Sequence, residues 1–122
     1  MRIFQTKPFV RFARRERIRE SVLIEAIERA EMGLVAADLG GGLFKQRIAR
    51  PGQGRSGGYR TLIAIRWGTR AFFLSGFAKN ERENIDADEL AMLKELAQDW
   101  LTASDAAIEG ELLSGNLQEI RR

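Results

Sequence analysis

The segment 43–82 constrains the fold most, because strand-like apolar blocks and basic side chains recur together within it. The clearest apolar blocks are 61–65 and 71–74. The segment holds nine basic side chains and one acid: Lys45, Arg47, Arg50, Arg55, Arg60, Arg66, Arg70, Lys79 and Arg82, with Glu81. A sheet with that much positive charge repels itself unless an anion binds it. The segment therefore indicates a surface for a nucleic-acid phosphate backbone.

The acids of the chain lie mostly outside this segment. Residues 1–42 carry eight basic and six acidic side chains, and residues 83–122 carry three basic and ten acidic ones. The length of 122 residues suits one domain. We expect the domain core to span about 1–103 and residues 104–122 to form a C-terminal extension.

The chain has no cysteine and no histidine. Disulfides, thiolate nucleophiles and Cys-ligated zinc are therefore excluded, and the commonest general base is missing. No acidic cluster falls in the basic segment, so we expect neither a metal nor another cofactor. No apolar run approaches the ~20 residues that span a bilayer. The N-terminus lacks a signal-peptide apolar region, which favours a cytoplasmic protein without a membrane partner.

Local patterns before the basic segment predict a short edge strand over 2–5 and two helices. The first helix has Pro8 in its first turn, a position that suits proline. The second covers 20–32, with Ser21 helping to cap it, Glu25 and Arg29 forming an i,i+4 pair, and Gly33 ending it. We expect 35–42 to be a loop.

Alternation in the basic segment predicts an antiparallel sheet followed by helices. A strand over 43–49 places Lys45 and Arg47 on one face, opposite Phe44, Gln46 and Ile48. Strands over 59–67 and 71–77 flank a turn at Gly68. A helix over 87–102 is capped by Asp86 or Asp88, and a short helix to about 113 precedes a small strand over 117–120. The fold class is α+β, with N-terminal helices on a small antiparallel sheet and a C-terminal helix.

The glycine-rich connection 50–58 contains the spacing G-x-G-x-x-G at Gly52, Gly54 and Gly57. A dinucleotide site needs a helix after such a loop, whereas a strand follows here, so that interpretation is rejected. The chain is also too short for a protein kinase. Two interpretations stay open: a mobile hairpin loop, and a loop whose amides and Arg55 approach phosphate.

Cleavage of RNA without histidine, cysteine or metal would have to use the 2′-hydroxyl of the RNA itself. Arginine binds phosphate with two hydrogen bonds but is too basic to accept a proton. A lysine crowded by arginines can have its pKa lowered and act as a base. Lys45 and Lys79 are the two lysines of the segment. Tyr59 is the one phenol, with core packing as its alternative role.

A hairpin can bring Lys45, Arg47 and Arg60 around one phosphate. The alternative is that these are surface charges of the strands. We assign the other candidates of the segment to RNA binding: Arg50, Arg55, Phe77 and Arg82. Core packing remains open for Phe77 and is expected for the two tryptophans. Arg70→Ala, at the hairpin turn, is expected to have little effect on cleavage.

Three motifs occur in a fixed order: Lys45-x-Arg47, the glycine run ending Ser56-Gly57-Gly58-Tyr59-Arg60, and Phe77-Ala78-Lys79-Asn80-Glu81-Arg82. Together they resemble the RelE/ParE superfamily of type II toxin–antitoxin toxins, and most closely its RelE- and HigB-like members. The resemblance implies two N-terminal helices against an antiparallel sheet and a further helix. It also implies ribosome-dependent cleavage of messenger RNA and neutralisation by a cognate antitoxin.

The resemblance carries over to Lys45, Arg47 and Arg60, and it places Lys79 beside the second basic cluster of the family. The chain departs from the family pattern at Asn80, where an arginine is typical, and at Ile85 and Asp86, where the late catalytic tyrosine is typical. Two other functions therefore stay open: a ParE-like inhibitor of DNA gyrase, and a non-catalytic basic module that binds nucleic acid.

Overall fold

The computed structural model describes residues 1–50, 54–82 and 84–122, and only the backbone of residues 54–56. Within these ranges the strands form one six-stranded sheet in the order β2-β3-β4-β5-β1-β6. They are β1 (Arg2–Thr6), β2 (Ala37–Gly40), β3 (Leu43–Arg50), β4 (Gly54–Arg66), β5 (Arg70–Ala78) and β6 (Leu117–Ile120). The helices are α1 (Lys7–Arg15), α2 (Glu20–Glu31), α3 (Ala87–Thr102) and α4 (Asp105–Ser114).

Neighbouring strands are antiparallel except β1 and β5, which run parallel. Helices α1 and α2 pack on one face of the sheet, through a core that includes Phe9, Leu23 and Ile27. Helices α3 and α4 pack on the other face, through residues such as Leu93 and Ile108. The predicted α+β class is therefore confirmed, with helices on both faces of a mostly antiparallel sheet.

The start of α3 and the end of α2 agree with their local signals. The Asp86 carboxylate accepts a hydrogen bond from the Glu89 N–H at 2.8 Å, which fixes the start of α3 where the sequence predicts it. The Glu25–Arg29 pair forms at 2.7 Å, and Gly33 has a positive φ of 81° just beyond α2. The prediction for Ser21 is wrong, because α2 is capped by Arg19 and no side chain closes its first turn.

Three predictions that depend on distant pairing are wrong. Strand β1 is not an edge strand, because β6 returns from the C-terminus and pairs with its free side. The predicted loop over 35–42 contains β2, which pairs with β3 and forms one edge of the sheet. The predicted connection 50–58 is mostly strand, since β3 reaches Arg50 and β4 begins at Gly54. The Lys79 N–H also donates to the Gly58 carbonyl at 3.1 Å, which ties this end of β4 to the chain after β5.

Candidate functional site

Four of the predicted site residues lie on the α3 face of the sheet. Arg47 and Arg60 are direct partners in the β3–β4 ladder, and Phe77 is the partner of Arg60 on β5. Lys45 lies two residues from Arg47 on the same strand, so it shares this face. The sequence prediction that Lys45 and Arg47 share one face of the strand is therefore confirmed. We call Lys45, Arg47 and Arg60 the basic triplet.

Burial within the basic triplet is graded. Arg60 is 6% exposed, Lys45 is half-buried and Arg47 is exposed. Partners across a ladder bring their Cβ atoms to about 4.5–5.5 Å, so the side chains of Arg47 and Arg60 are neighbours. The triplet therefore forms a continuous cationic surface that reaches from the interior to solvent.

Arg60 occupies an unusual position for a cation. Its Nη1 donates to the Tyr59 carbonyl at 3.4 Å. Burial lowers the pKa of Arg60, and the neighbouring charge of Arg47 lowers it further. Both effects mean that the fold disfavours the charged form of Arg60. A bound anion would relieve this cost, which makes the position a candidate binding site.

The chain around α3 encloses one side of this surface. Arg82 lies 5.0 Å over the Phe77 ring, and its Nη2 bonds to Glu89 of α3 at 2.6 Å. Phe77 is 7% exposed and belongs to the core beneath α3. A nucleotide base would have to displace Arg82 in order to stack on this ring. Lys79 follows directly after β5 and is exposed, beyond Phe77.

One predicted RNA contact lies on the other face of the sheet, and a second is outside the described side chains. The Arg50 guanidinium lies 5.6 Å over the Tyr59 ring, and Tyr59 belongs to the core under α1 and α2. Arg50 is thus associated with the face opposite Arg60. The side chain of Arg55 lies outside the described residues.

Tyr59 is a core residue, as its alternative role predicted. It is 2% exposed, and its hydroxyl donates to Glu16 Oε1 at 3.1 Å. Burial raises the pKa of Tyr59, and the hydrogen bond to Glu16 raises it further. The one phenol of the chain is therefore held protonated on the face of the sheet away from the basic triplet.

The arginines at the β4–β5 turn have a different role from the triplet. Arg70 Nη1 donates to the Trp100 carbonyl at 3.2 Å and to the Ala103 carbonyl at 2.6 Å, while Nη2 bonds to Asp105 at 2.9 Å. Arg66 Nη1 donates to the Leu101 carbonyl at 2.9 Å. The Arg70 side chain thus binds the carbonyls that end α3, a structural role that sequence reasoning missed, while the prediction that Arg70→Ala does little to cleavage stays a prediction.

Sequence reasoning missed two side chains that contact the backbone of the site. Arg29 from α2 donates to the Arg47 carbonyl at 2.6 Å. Gln46 Oε1 accepts from the Arg47 N–H at 3.2 Å. Strand alternation placed Gln46 on the face opposite Lys45 and Arg47, and this was the one local signal for its role.

The described residues contain no group of three or more acidic side chains placed to hold a metal ion. None of the helices in the described ranges has the length and apolar character needed to cross a bilayer.

Comparison with known proteins gives one family. The family model described as "RelE toxin of RelE / RelB toxin-antitoxin system" matches residues 1–120. No curated protein matches significantly. The family match spans nearly the whole chain, including β6 and the helices on both faces. The chain therefore belongs to the RelE family and is a toxin of a toxin–antitoxin system, with a cognate antitoxin as its partner.

Proposed function

We propose that this toxin is a metal-independent endoribonuclease that cuts messenger RNA on the ribosome. RelE family toxins are generally endoribonucleases, which supports the reaction class. The observation that carries the proposal is the direct pairing of Arg47 with the buried Arg60, on the face that also bears Lys45. This arrangement offers adjacent cations to one phosphate, at a position where the fold itself disfavours the charge of Arg60.

In the proposed reaction the 2′-hydroxyl of the RNA attacks the adjacent phosphorus. Lys45 accepts the hydroxyl proton, because neither arginine of the triplet gives up its own proton near neutral pH. Arg47 and Arg60 bind the phosphate and stabilise the charge that develops in the transition state. Lys79 is the second candidate for proton transfer, since it is exposed just after β5.

The leaving 5′-oxygen also needs a proton, and Tyr59 is not in a position to give it. Its hydroxyl is bonded to Glu16 on the other face, and the chain has no histidine. In our proposal that proton comes from water or from a group of the ribosome. In this proposal the ribosome is required to align the message, and it also completes the acid–base set where one of its groups gives that proton.

We further propose that the antitoxin neutralises the toxin by covering the basic triplet. A surface of one charge sign favours an acidic partner, and such association weakens as salt screens the charges. Binding of the product of the neighbouring gene is measured over a range of salt concentrations. Tight binding that leaves toxin association with ribosomes intact would contradict neutralisation by covering this surface.

The experiment that tests the proposed activity is induced expression followed by two assays in the same cells. Messenger RNA integrity reports on nuclease activity, and plasmid supercoiling reports on DNA gyrase. We expect cleaved messages and normal supercoiling. Intact messages with inhibited gyrase would favour the ParE-like alternative, and intact messages with active gyrase would favour a non-catalytic basic module.

A further inference from the structure

The edge of β3 that faces β2 changes its hydrogen-bond partners beside the basic triplet. Strand β2 pairs with β3 only as far as Lys45, whose carbonyl accepts from the Ala36 N–H at 3.0 Å. The next backbone groups that face this edge belong to Arg47, because alternate residues of an antiparallel strand point to the same side. No residue of β2 pairs with Arg47. Its backbone is instead bonded to two side chains.

Arg29 provides the first of these bonds. It is 8% exposed, although it belongs to a helix with a solvent-facing side. Its Nη2 donates to the Arg47 carbonyl at 2.6 Å, and its Nε donates to Glu25 Oε1 at 2.7 Å. The rigid guanidinium thus joins α2 to the backbone of one phosphate-binding candidate.

Gln46 provides the second bond and joins the same strand to α2. Its side chain is buried, with 2% of the residue exposed. Nε2 donates to the carbonyls of Ala26 at 3.0 Å and Leu34 at 2.9 Å, while Oε1 accepts from the Arg47 N–H at 3.2 Å. The amide therefore uses both of its ends to hold β3 at one register on α2.

From these contacts we infer that Arg29 and Gln46 are positioning residues for Arg47, and this inference rests on the proposed role of Arg47 in binding phosphate. Their side chains lie on the α2 side of the sheet, while the Arg47 side chain lies on the α3 face. They act through the Arg47 backbone: with N–H and C=O both fixed, the Cα–Cβ direction of Arg47 is fixed as well.

Arg29 offsets the cost of its burial through its contacts. Moving a guanidinium into the interior costs solvation, and the bonds to Glu25 and to the Arg47 carbonyl offset that cost. The alternative is that the two side chains merely block the open edge of β3 against other strands.

A double-mutant cycle on message cleavage separates these roles. Single-turnover cleavage of ribosome-bound message is measured for the parental toxin, Arg29→Met, Arg47→Ala and the double variant. We expect Arg29→Met to lower the cleavage rate roughly tenfold to hundredfold, as displaced catalytic groups do. In the Arg47→Ala background the same change should have little effect, because the group that it positions is gone. Equal loss in both backgrounds, or no loss in either, would overturn the inference.

Two further variants keep the result interpretable. Arg66→Met is the matched control, since Arg66 also donates to a backbone carbonyl but at the C-terminus of α3, and it should cleave at nearly the parental rate. If Arg29→Met does not fold, Arg29→Lys enters the same cycle. Lysine keeps the charge but lacks the guanidinium fork that bonds to Glu25 and Arg47 together. Arg29→Lys should therefore lower the cleavage rate only where Arg47 is present.

The cycle also separates failure of this inference from failure of the nuclease proposal. If the parental toxin arrests growth without cleaving message, the nuclease proposal fails. The four variants are then compared by growth arrest, which reports on Arg47 whatever the target is. A loss with Arg29→Met that depends on Arg47 would still support positioning. Full growth arrest by Arg47→Ala would remove Arg47 from the site and overturn the positioning role with it.

Discussion

The two groups of arginines on the central strands differ in what their charges meet. At the β4–β5 turn, Arg66 and Arg70 bind backbone carbonyls at the end of α3, and the Arg70 side chain is 6% exposed. Across β3 and β4, Arg47 and Arg60 lie side by side instead, and burial together with the charge of Arg47 lowers the pKa of Arg60. The residue type is the same, but the turn arginines lie against the end of a helix, whereas Arg60 lies beside a second cation.

This difference changes how a basic segment is to be interpreted. Helix α3 has no basic residue in its own last turn, so the turn arginines of the sheet complete that helix end. Their contacts therefore give these two charges a role in the fold. An excess of positive charge in a sequence thus includes structural arginines as well as candidates for binding a ligand. The basic triplet is the candidate for phosphate because Arg47 and Arg60 are direct ladder partners on the face that bears Lys45.

The largest effect is expected at Lys45. Lys45→Ala should lower the single-turnover cleavage rate by about 10²–10³, or roughly 2.7–4 kcal/mol, by analogy with the loss of one transition-state contact. Ribosome binding should change much less. Lys7→Ala, at an exposed lysine that begins α1, is the matched control and should be unaffected. A folded Lys45→Ala variant with parental cleavage would transfer the base role to Lys79, which Lys79→Ala then tests.

The next effect concerns stability at the turn. Arg70→Met should lower the free energy of unfolding by about 2 kcal/mol, because two α3 carbonyls lose their donor. Urea unfolding followed by circular dichroism measures the change. Arg14→Met, at an exposed site on α1, provides the matched control and should leave stability nearly unchanged. Parental stability of Arg70→Met would show that this arginine does not support α3.

A smaller loss of stability is expected for Arg60. Arg60→Met should lower the free energy of unfolding less than Arg70→Met does, because burial and the neighbouring charge of Arg47 oppose the charge that the substitution removes. The same urea titration as for Arg70→Met gives the answer. A large loss of stability would place Arg60 with the turn arginines and remove the contrast between the two groups.

The smallest effect is the pH dependence of stability that comes from Tyr59, on the sheet face that packs against α1 and α2. The pKa of Tyr59 is raised above its ordinary value, first by burial and then by Glu16. The unfolded chain therefore loses the phenolic proton first, so stability is fully present below about pH 10 and is lost as pH rises through the higher folded-state pKa. Unfolding at about pH 9 and about pH 11 should show a larger loss for the parental protein than for Tyr59→Phe. Equal losses would contradict the raised pKa.

Sequence reasoning succeeded where the signal was local. Helix α3 begins after Asp86, a side chain that caps the turn next to it. The alternation of Lys45 with Gln46 was enough to place them on opposite faces of β3. Such features depend on a few consecutive residues and on the periods of helix and strand.

The errors concern contacts between distant parts of the chain. The role of Arg70 depends on where α3 ends, about thirty residues later, and the position of β1 depends on β6 at the far end of the chain. Arg29 can contact the Arg47 backbone because the pairing of β2 with β3 stops at Lys45 and leaves the Arg47 backbone without a strand partner on that side. No local sequence pattern encodes these long-range contacts. Charge and periodicity alone therefore could not separate structural arginines from candidate site arginines.

The most direct test of the account compares message cleavage by Arg60→Met and Arg70→Met under conditions where both variants are folded. The two substitutions are chemically identical and lie on adjacent strands of one hairpin. The account predicts that Arg60→Met binds ribosomes but cleaves message at least about 10²-fold more slowly, while folded Arg70→Met cleaves at close to the parental rate. Parental cleavage by Arg60→Met, or loss of cleavage by folded Arg70→Met, would contradict it.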